Sequence, residues 1–138
     1  YGDAFTGTVN VSNNTISGSF NGVTIRDGKD ITGKNINVNN NDLAGNSHAG
    51  VYHGGTGTLN ALNNWWGDAS GPFNATTNSL GTGVAVSDNV TYSPWLGAVP
   101  GTNPMTYGYV TNPTDPTSLA TILGSVNDGD VINILQGN

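Results

Sequence analysis

A repeat with a period too short for a hairpin-based unit limits what this chain can fold into. Three windows share one pattern: Val9-Asn10-Val11-Ser12-Asn13-Asn14-Thr15-Ile16, Ile36-Asn37-Val38-Asn39-Asn40-Asn41-Asp42-Leu43 and Leu59-Asn60-Ala61-Leu62-Asn63-Asn64-Trp65-Trp66. In each, a short alternating apolar run leads into an Asn pair and then another apolar residue. The pairs begin at 13, 40 and 63, in steps of 27 and 23. A second piece, Asn21-Gly22-Val23-Thr24-Ile25, returns as Ala49-Gly50-Val51-Tyr52, its glycines 28 residues apart. Such a unit predicts one turn of a coil, whose strands stack on equivalent strands of the next turn about 4.8 Å away. Val9, Val11, Ile16, Val23, Ile25, Ile36, Val38 and Leu43 would fill a narrow core, with Asn, Thr and Ser facing water.

Composition agrees with many short strands and many turns. Among 138 residues there are 21 glycines, Glu is absent, and only 9% of residues are charged. Asn supplies either the left-handed backbone that a coil corner needs or a side chain that bridges it. Stacked on successive rungs, side-chain amides can bond into a ladder. One Asn of each pair is therefore read as structural, with Asn14, Asn41 and Asn64 forming an asparagine ladder.

The longest motif is Asn63-Asn64-Trp65-Trp66-Gly67-Asp68-Ala69-Ser70-Gly71-Pro72. It is followed by a Gly-rich run and Val90-Thr91-Tyr92-Ser93-Pro94-Trp95-Leu96. Over roughly residues 5–97 the chain resembles the right-handed parallel β-helix repeat proteins of prokaryotic cell surfaces, within the pectate-lyase-like superfold. In those proteins an N-N-W-W-G-x-x-x-G-P element marks the terminal coils. The resemblance implies an all-β, right-handed, single-stranded parallel β-helix of about four to five coils. It implies no single function, because the fold hosts lyases, epimerases, adhesins and passive stalks alike. Trp65, Trp66, Phe73 and Trp95 are expected to cap or fill the core rather than to form a sugar platform.

Three segments follow from this reading: β-helix coils over 1–97, a Pro/Gly-rich linker over 98–116, and a distinct tail over 117–138. Within the linker, Tyr107, Tyr109 and Val110 have the makings of one local strand. Asp115-Pro116 is a good helix start. Leu119, Ile122, Leu123 and Val126 then fall on one apolar face, predicting a short amphipathic capping helix. Val131-Ile132-Asn133-Ile134-Leu135 reads as a strand. A capping helix, a turn and a first strand are how β-helix domains of the resembled class begin, so this chain reads as a circularly shifted unit.

Three arrangements fit: a piece of a tandem protein, a protomer whose tail completes the next protomer, or a tail folded back on its own first coil. Reach decides nothing, since 19 extended residues span roughly 60 Å and five coils rise only about 24 Å. Burying Val131, Ile132, Ile134 and Leu135 yields at most about 1.5–3 kcal/mol each, against about 4–15 for association. Helix and backbone bonds added to the strand favour tandem or polymeric assembly over self-capping.

The expected function is thus a structural or adhesive module assembling head-to-tail into a filament or stalk by strand complementation. The alternative is a carbohydrate-binding or polysaccharide-cleaving β-helix. Its one plausible constellation is Arg26, Asp27, Lys29 and Asp30 in a turn, with His48 and His53 flanking the next coil's strand. Incidental turn charges are the preferred account, so no catalytic residue and no enzyme activity are expected. The three cations, Arg26, Lys29 and Lys34, are read as a solvated patch. The net charge of −6 disfavours nucleic acid and anionic membranes. No apolar run approaches the roughly 20 residues of a membrane span. Without cysteine there is no disulfide. No cofactor is expected, and surface Asp residues could take Ca²⁺ without a legible ligand set. Sequons at Asn10, Asn13, Asn74 and Asn89 are compatible with glycosylation. A secreted or cell-surface location and homopolymer or surface-glycan partners complete the expectation.

Overall fold

A computed structural model describes residues 5–101, 106–110, 120, 122–124 and 126–135, without the side chains of Tyr109, Val110 and Leu135. Ten strands are present: β1 (Thr8–Ser12), β2 (Asn21–Ile25), β3 (Asn35–Asn39), β4 (Ala49–His53), β5 (Leu59–Asn60), β6 (Ala85–Val86), β7 (Val90–Thr91), β8 (Trp95–Leu96), β9 (Thr106–Val110) and β10 (Val131–Leu135). They form a parallel β-solenoid of about four turns.

One wall stacks β1-β3-β5-β7 and another β2-β4-β6, parallel throughout. A third line of contact runs through the bridges Thr15↔Asp42 and Asp42↔Trp65. Thr8 pairs with Asn35 and Asn37 with Asn60, so the repeat read along the chain is the rung spacing. The next step is longer, Leu59 pairing with Val90, because residues 67–83 make an excursion within the third coil.

The corners explain the Asn pairs. Asn13, Asn40 and Asn63 hold φ of 59°, 58° and 56°, the left-handed region that Asn enters more readily than other side chains. Each turns the backbone once per coil, and Asn89 does the same with φ 59°.

Alternation along each strand sends every second residue inward. Val38, Leu43, Val51, Leu59, Ala61, Trp66 and Trp95 form the buried core, with Val11, Ile16, Val23, Ile25 and Ile36 packed against it. Val9 departs from the expected core and stands 39% exposed. It lies on the first rung, and no described strand stacks above it.

The excursion is fitted to the tryptophans. A Cβ on Gly50 would meet the Trp66 ring and Val84 at 2.9 Å, and one on Gly71 would meet Trp95 at 2.5 Å. At Gly71 φ is also +80°, so both backbone and space call for glycine there.

The described strands of the tail, β9 and β10, extend the far end of the solenoid at β8. β9 pairs antiparallel with β8, as Trp95↔Gly108 and Leu96↔Tyr107. β10 then pairs parallel with β9, from Val131↔Thr106 to Leu135↔Val110. A second apolar cluster forms there from Leu96, Tyr107 and Ile122, with Trp65, Val126 and Ile132 against it. Because neighbouring residues in a strand point to opposite faces, Trp65 and Leu96 face away from the core that holds Trp66 and Trp95. The second cluster is therefore on the outer face of the solenoid wall.

Most of the expected capping helix, Leu119 included, lies outside the described residues. Ala120, Ile122 and Leu123 are helical, and Val126 N donates to Ile122 O at 3.2 Å. Ile122 is buried, but Leu123, assigned to the same apolar face, is 58% exposed. The next residue along a helix is turned by about 100°, so with Ile122 on the sheet Leu123 points to water.

Candidate functional site

Two columns of asparagine run down the solenoid. The inner one is Asn14, Asn41 and Asn64. Asn41 Oδ1 accepts from Asn14 N (3.0 Å) and Nδ2 (3.2 Å), and Asn64 Oδ1 accepts from Asn41 N (2.9 Å) and Nδ2 (3.1 Å). Asn41 Nδ2 also donates to Val11 O and Asn39 O, and Asn64 Nδ2 to Val38 O and Ala61 O. Asn41 and Asn64 are fully buried, so these amides satisfy corner carbonyls that water does not reach. Asn14, on the first rung, is exposed.

The outer column went unread in the sequence. Asn37 Nδ2 donates to Asn10 Oδ1 at 3.0 Å, and Asn60 Nδ2 to Asn37 Oδ1 at 2.9 Å. Its signal was the middle residue of Val9-Asn10-Val11, Ile36-Asn37-Val38 and Leu59-Asn60-Ala61. An outward Asn at that place in each rung bonds along the stack.

The first coil ends in an open mouth of about 290 Å³. Its floor is Ile25, Ile31 and Ile36, with Phe5 at the side, and Arg26, Lys29 and Lys34 surround it. These are all the cations in the chain. Lys34 Nζ donates to Phe5 O at 3.0 Å, reaching along the axis to the first coil. Asp30 lines the same mouth, its Oδ1 accepting from Thr56 Oγ1, while Asp27 Oδ1 accepts from Tyr52 OH, both at 2.9 Å.

Arg26, Lys29 and Asp30 line one mouth, but neither histidine of the expected constellation joins them there. His53 is 3% exposed and closes a turn: Gly55 N donates to its Nδ1 (3.3 Å), and its Nε2 lies 3.2 Å from Gly57 O. Those partners match a neutral ring carrying its proton on Nε2. His48 instead stacks on Phe20 at 4.5 Å, with Nδ1 2.8 Å from Asn21 Oδ1. Among the described residues no three of His, Cys, Asp or Glu gather into a metal site.

Trp66 and Trp95 are core residues, and Trp65 is half-buried under the tail. Phe73, expected with them, is 44% exposed. Pro72 and Asn74 on either side are buried, so alternation turns Phe73 outward. There it lines a groove of about 330 Å³ with His48, Tyr52, Asn74, Ser87 and Asp88. Asn74 is not available as a sequon in the folded chain. It is 5% exposed, its Nδ2 donates to Val86 O, and its Oδ1 accepts from Thr76 N and Thr77 N. Asn10, Asn13 and Asn89 are exposed.

Of the assembly residues, Ile122 is buried, Val126 and Ile132 half-buried, and Leu123, Val131 and Ile134 exposed. Leu119 and the Leu135 side chain lie outside the described residues. Among the described residues nine large apolar side chains are exposed, and six of them sit at the two ends: Phe5, Val9 and Phe20 in the first coil, Leu123, Val131 and Ile134 in the tail. Exposed apolar surface gathered at two ends points to contact surfaces.

Two aspartates tie coil turns to pH. Hydrogen bonds from Thr32 and Thr56 hold the Asp30 carboxyl below its ordinary 3.8, and Ser70 and Thr82 do the same for Asp68. A depressed folded-state pKa contributes stability that is present above the unfolded value and lost as pH falls through the folded one. The urea midpoint is therefore expected to hold from neutral pH to the ordinary Asp range and to fall below about 3.8. The double variant Asp30→Asn/Asp68→Asn should show a flatter acid limb, read from urea titrations at several pH values.

Among the described residues no helix is long and apolar enough to cross a membrane. Comparison with protein-family models, curated proteins and solved structures gave no match.

Proposed function

We propose that this chain is a structural module of an extracellular or cell-surface stalk or filament, in which β-solenoid units stack end to end. One observation carries the reading: among the described residues β1 and β10 are both outermost strands, and neither carries an edge-blunting device of its own. Sheet edges are ordinarily blunted by charge, proline, bulges or shortness. Thr8-Val9-Asn10-Val11-Ser12 and Val131-Ile132-Asn133-Ile134-Leu135 have none of these devices, and each is five residues long. Edges of that kind accept another strand. A head-to-tail contact joining two different surfaces grows without closing. Membership of the pectate-lyase-like β-helix proteins of prokaryotic surfaces belongs to the same proposal, supported by the N-N-W-W-G-x-x-x-G-P element.

Sedimentation velocity over a hundredfold concentration range tests it. Weight-average size should rise continuously with concentration, without stopping at a dimer. A single monomer boundary at every concentration would remove the reading.

A second reading rests on the groove beside Phe73. Exposed Phe73, the Phe20–His48 stack, Tyr52 and Asp88 offer apolar ring faces beside polar groups, which suits a sugar. Adhesion to surface glycans is compatible with a stalk. Cleavage has less support, because His53 is closed into its turn and the cations lie at the solenoid end.

A further inference from the structure

We infer that the occupant of the open first coil is the tail of a second copy of this chain, its β10 pairing parallel with β1 in the register Ile132↔Val9, Asn133↔Asn10 and Ile134↔Val11. This rests on the end-to-end reading and specifies its interface.

β9 and β10 stand to each other as neighbouring rungs of the solenoid do. β9 and β10 are parallel and in register, with Thr106 paired to Val131 25 residues later, a step like those between the solenoid rungs. Parallel crossovers are right-handed in nearly all cases, so stacked strands on one side of a coil all run the same way. Reversal of direction between β8 and β9 therefore sets the apolar side of β9 and β10 on the other side of that wall. The second apolar cluster is on that side, since Leu96, Tyr107, Ile122 and Ile132 pack on the outer face. β10 is thus the outermost strand on that side, and among the described residues no further rung stacks on it.

The first coil matches what that rung needs. Val9-Asn10-Val11 and Ile132-Asn133-Ile134 have the same apolar-Asn-apolar order. Ile36 and Val38 point inward beneath Val9 and Val11, and Ile132 points into the second cluster. In the proposed register all inward residues fall on one side and Asn133 extends the outer column above Asn10, Asn37 and Asn60. Asn37 Nδ2 donates to Asn10 Oδ1, which leaves Asn10 Nδ2 to donate to Asn133 Oδ1 in the same sense. A slip by one residue would send Asn133 inward and Ile132 and Ile134 to water.

Charge supports the same occupant. Asp128 and Asp130 lie in the turn entering β10, and at the mouth Arg26, Lys29 and Lys34 outnumber the one carboxylate there, Asp30. Asp130 directly precedes β10 as Lys34 directly precedes β3, so the register sets Asp130 two rungs above Lys34. The lysine already reaches toward that side, to Phe5 O.

Absence of cysteine in the natural chain makes cross-linking clean. Adjacent rungs lie within the Cα separation a disulfide spans. N133C and N10C proteins, mixed and oxidised gently, are expected to give a disulfide-linked heterodimer at least tenfold faster than N133C with N60C, which lies two rungs inside the stack. K34E should slow the linkage severalfold, and D130K added to the N133C partner should restore it. Circular dichroism confirms that each variant is folded. If size grows with concentration but N133C links no faster to N10C than to N60C, the register is wrong and end-to-end assembly stands. If size does not grow, both fall. If the double variant N10C/N133C closes only on itself as a monomer, the tail serves its own first coil and the proposal is overturned.

Discussion

Asn41→Ala is expected to lose about 3–5 kcal/mol of stability, a large share of the roughly 5–15 kcal/mol of an ordinary domain. The side chain is fully buried and supports both neighbouring rungs. Its Oδ1 accepts from Asn14 N and Nδ2, and its Nδ2 donates to Val11 O, Asn39 O and Asn64 Oδ1. Truncation leaves several of these groups without a partner, at about 1–3 kcal/mol for each that stays dry. Water entering the gap offsets part of the sum. Asn41→Asp keeps the shape but removes both amide donors and adds a charge, so it should cost at least as much. Asn14→Ala, at the exposed end of the same column, should cost about 1 kcal/mol or less. Urea titrations followed by circular dichroism give the three values. Equal small losses at 14 and 41 would mean that the column is not a stabilising element.

Trp66 carries the second large effect. Trp66→Ala is expected to cost about 3–5 kcal/mol, as large-to-small changes do in a closed core. The indole is fully buried against Gly50 and lies edge-on to Tyr92 at 6.4 Å. Trp66→Phe should cost far less, about 1 kcal/mol. It gives up volume, but it also removes an indole Nε1 that is buried with no hydrogen-bond partner, and an unmet buried donor itself costs about 1–3 kcal/mol. Chemical denaturation of both variants checks this. A Phe variant as unstable as the Ala variant would contradict this account, because Phe keeps most of the ring volume and drops the unmet donor.

These effects separate what a reader of the sequence can find from what only the coil supplies. Repeats of Val-Asn-Val and Ile-Asn-Val, with Asn pairs in steps of 27 and 23, contain the solenoid because its contacts are periodic. A residue at one corner stacks on the residue at the next. The glycines near Trp66 and Trp95 were visible as a motif for the same local reason.

Other features depend on which side of a wall a residue meets. Trp65 and Trp66 are adjacent and chemically alike, yet one faces the second cluster and the other the core. Phe73 looked like a core aromatic, but its neighbours Pro72 and Asn74 take the inward positions. His53 looked like a partner for Arg26 across rungs, but the turn at Gly55 and Gly57 takes both its ring nitrogens. The last strand of the tail was legible, but not the antiparallel step from Leu96 to Tyr107 that sets it on the outer face. That step depends on a contact made once, and no repeat announces it.

Fibre diffraction from concentrated, aligned protein most directly tests whether these solenoids stack end to end. Strands lie across the axis of a solenoid, so an end-to-end assembly places the rung spacing along the fibre. Unbranched fibres with a meridional reflection near about 4.8 Å are the expected result. Dispersed particles at every concentration, or fibres with that reflection on the equator, would contradict it.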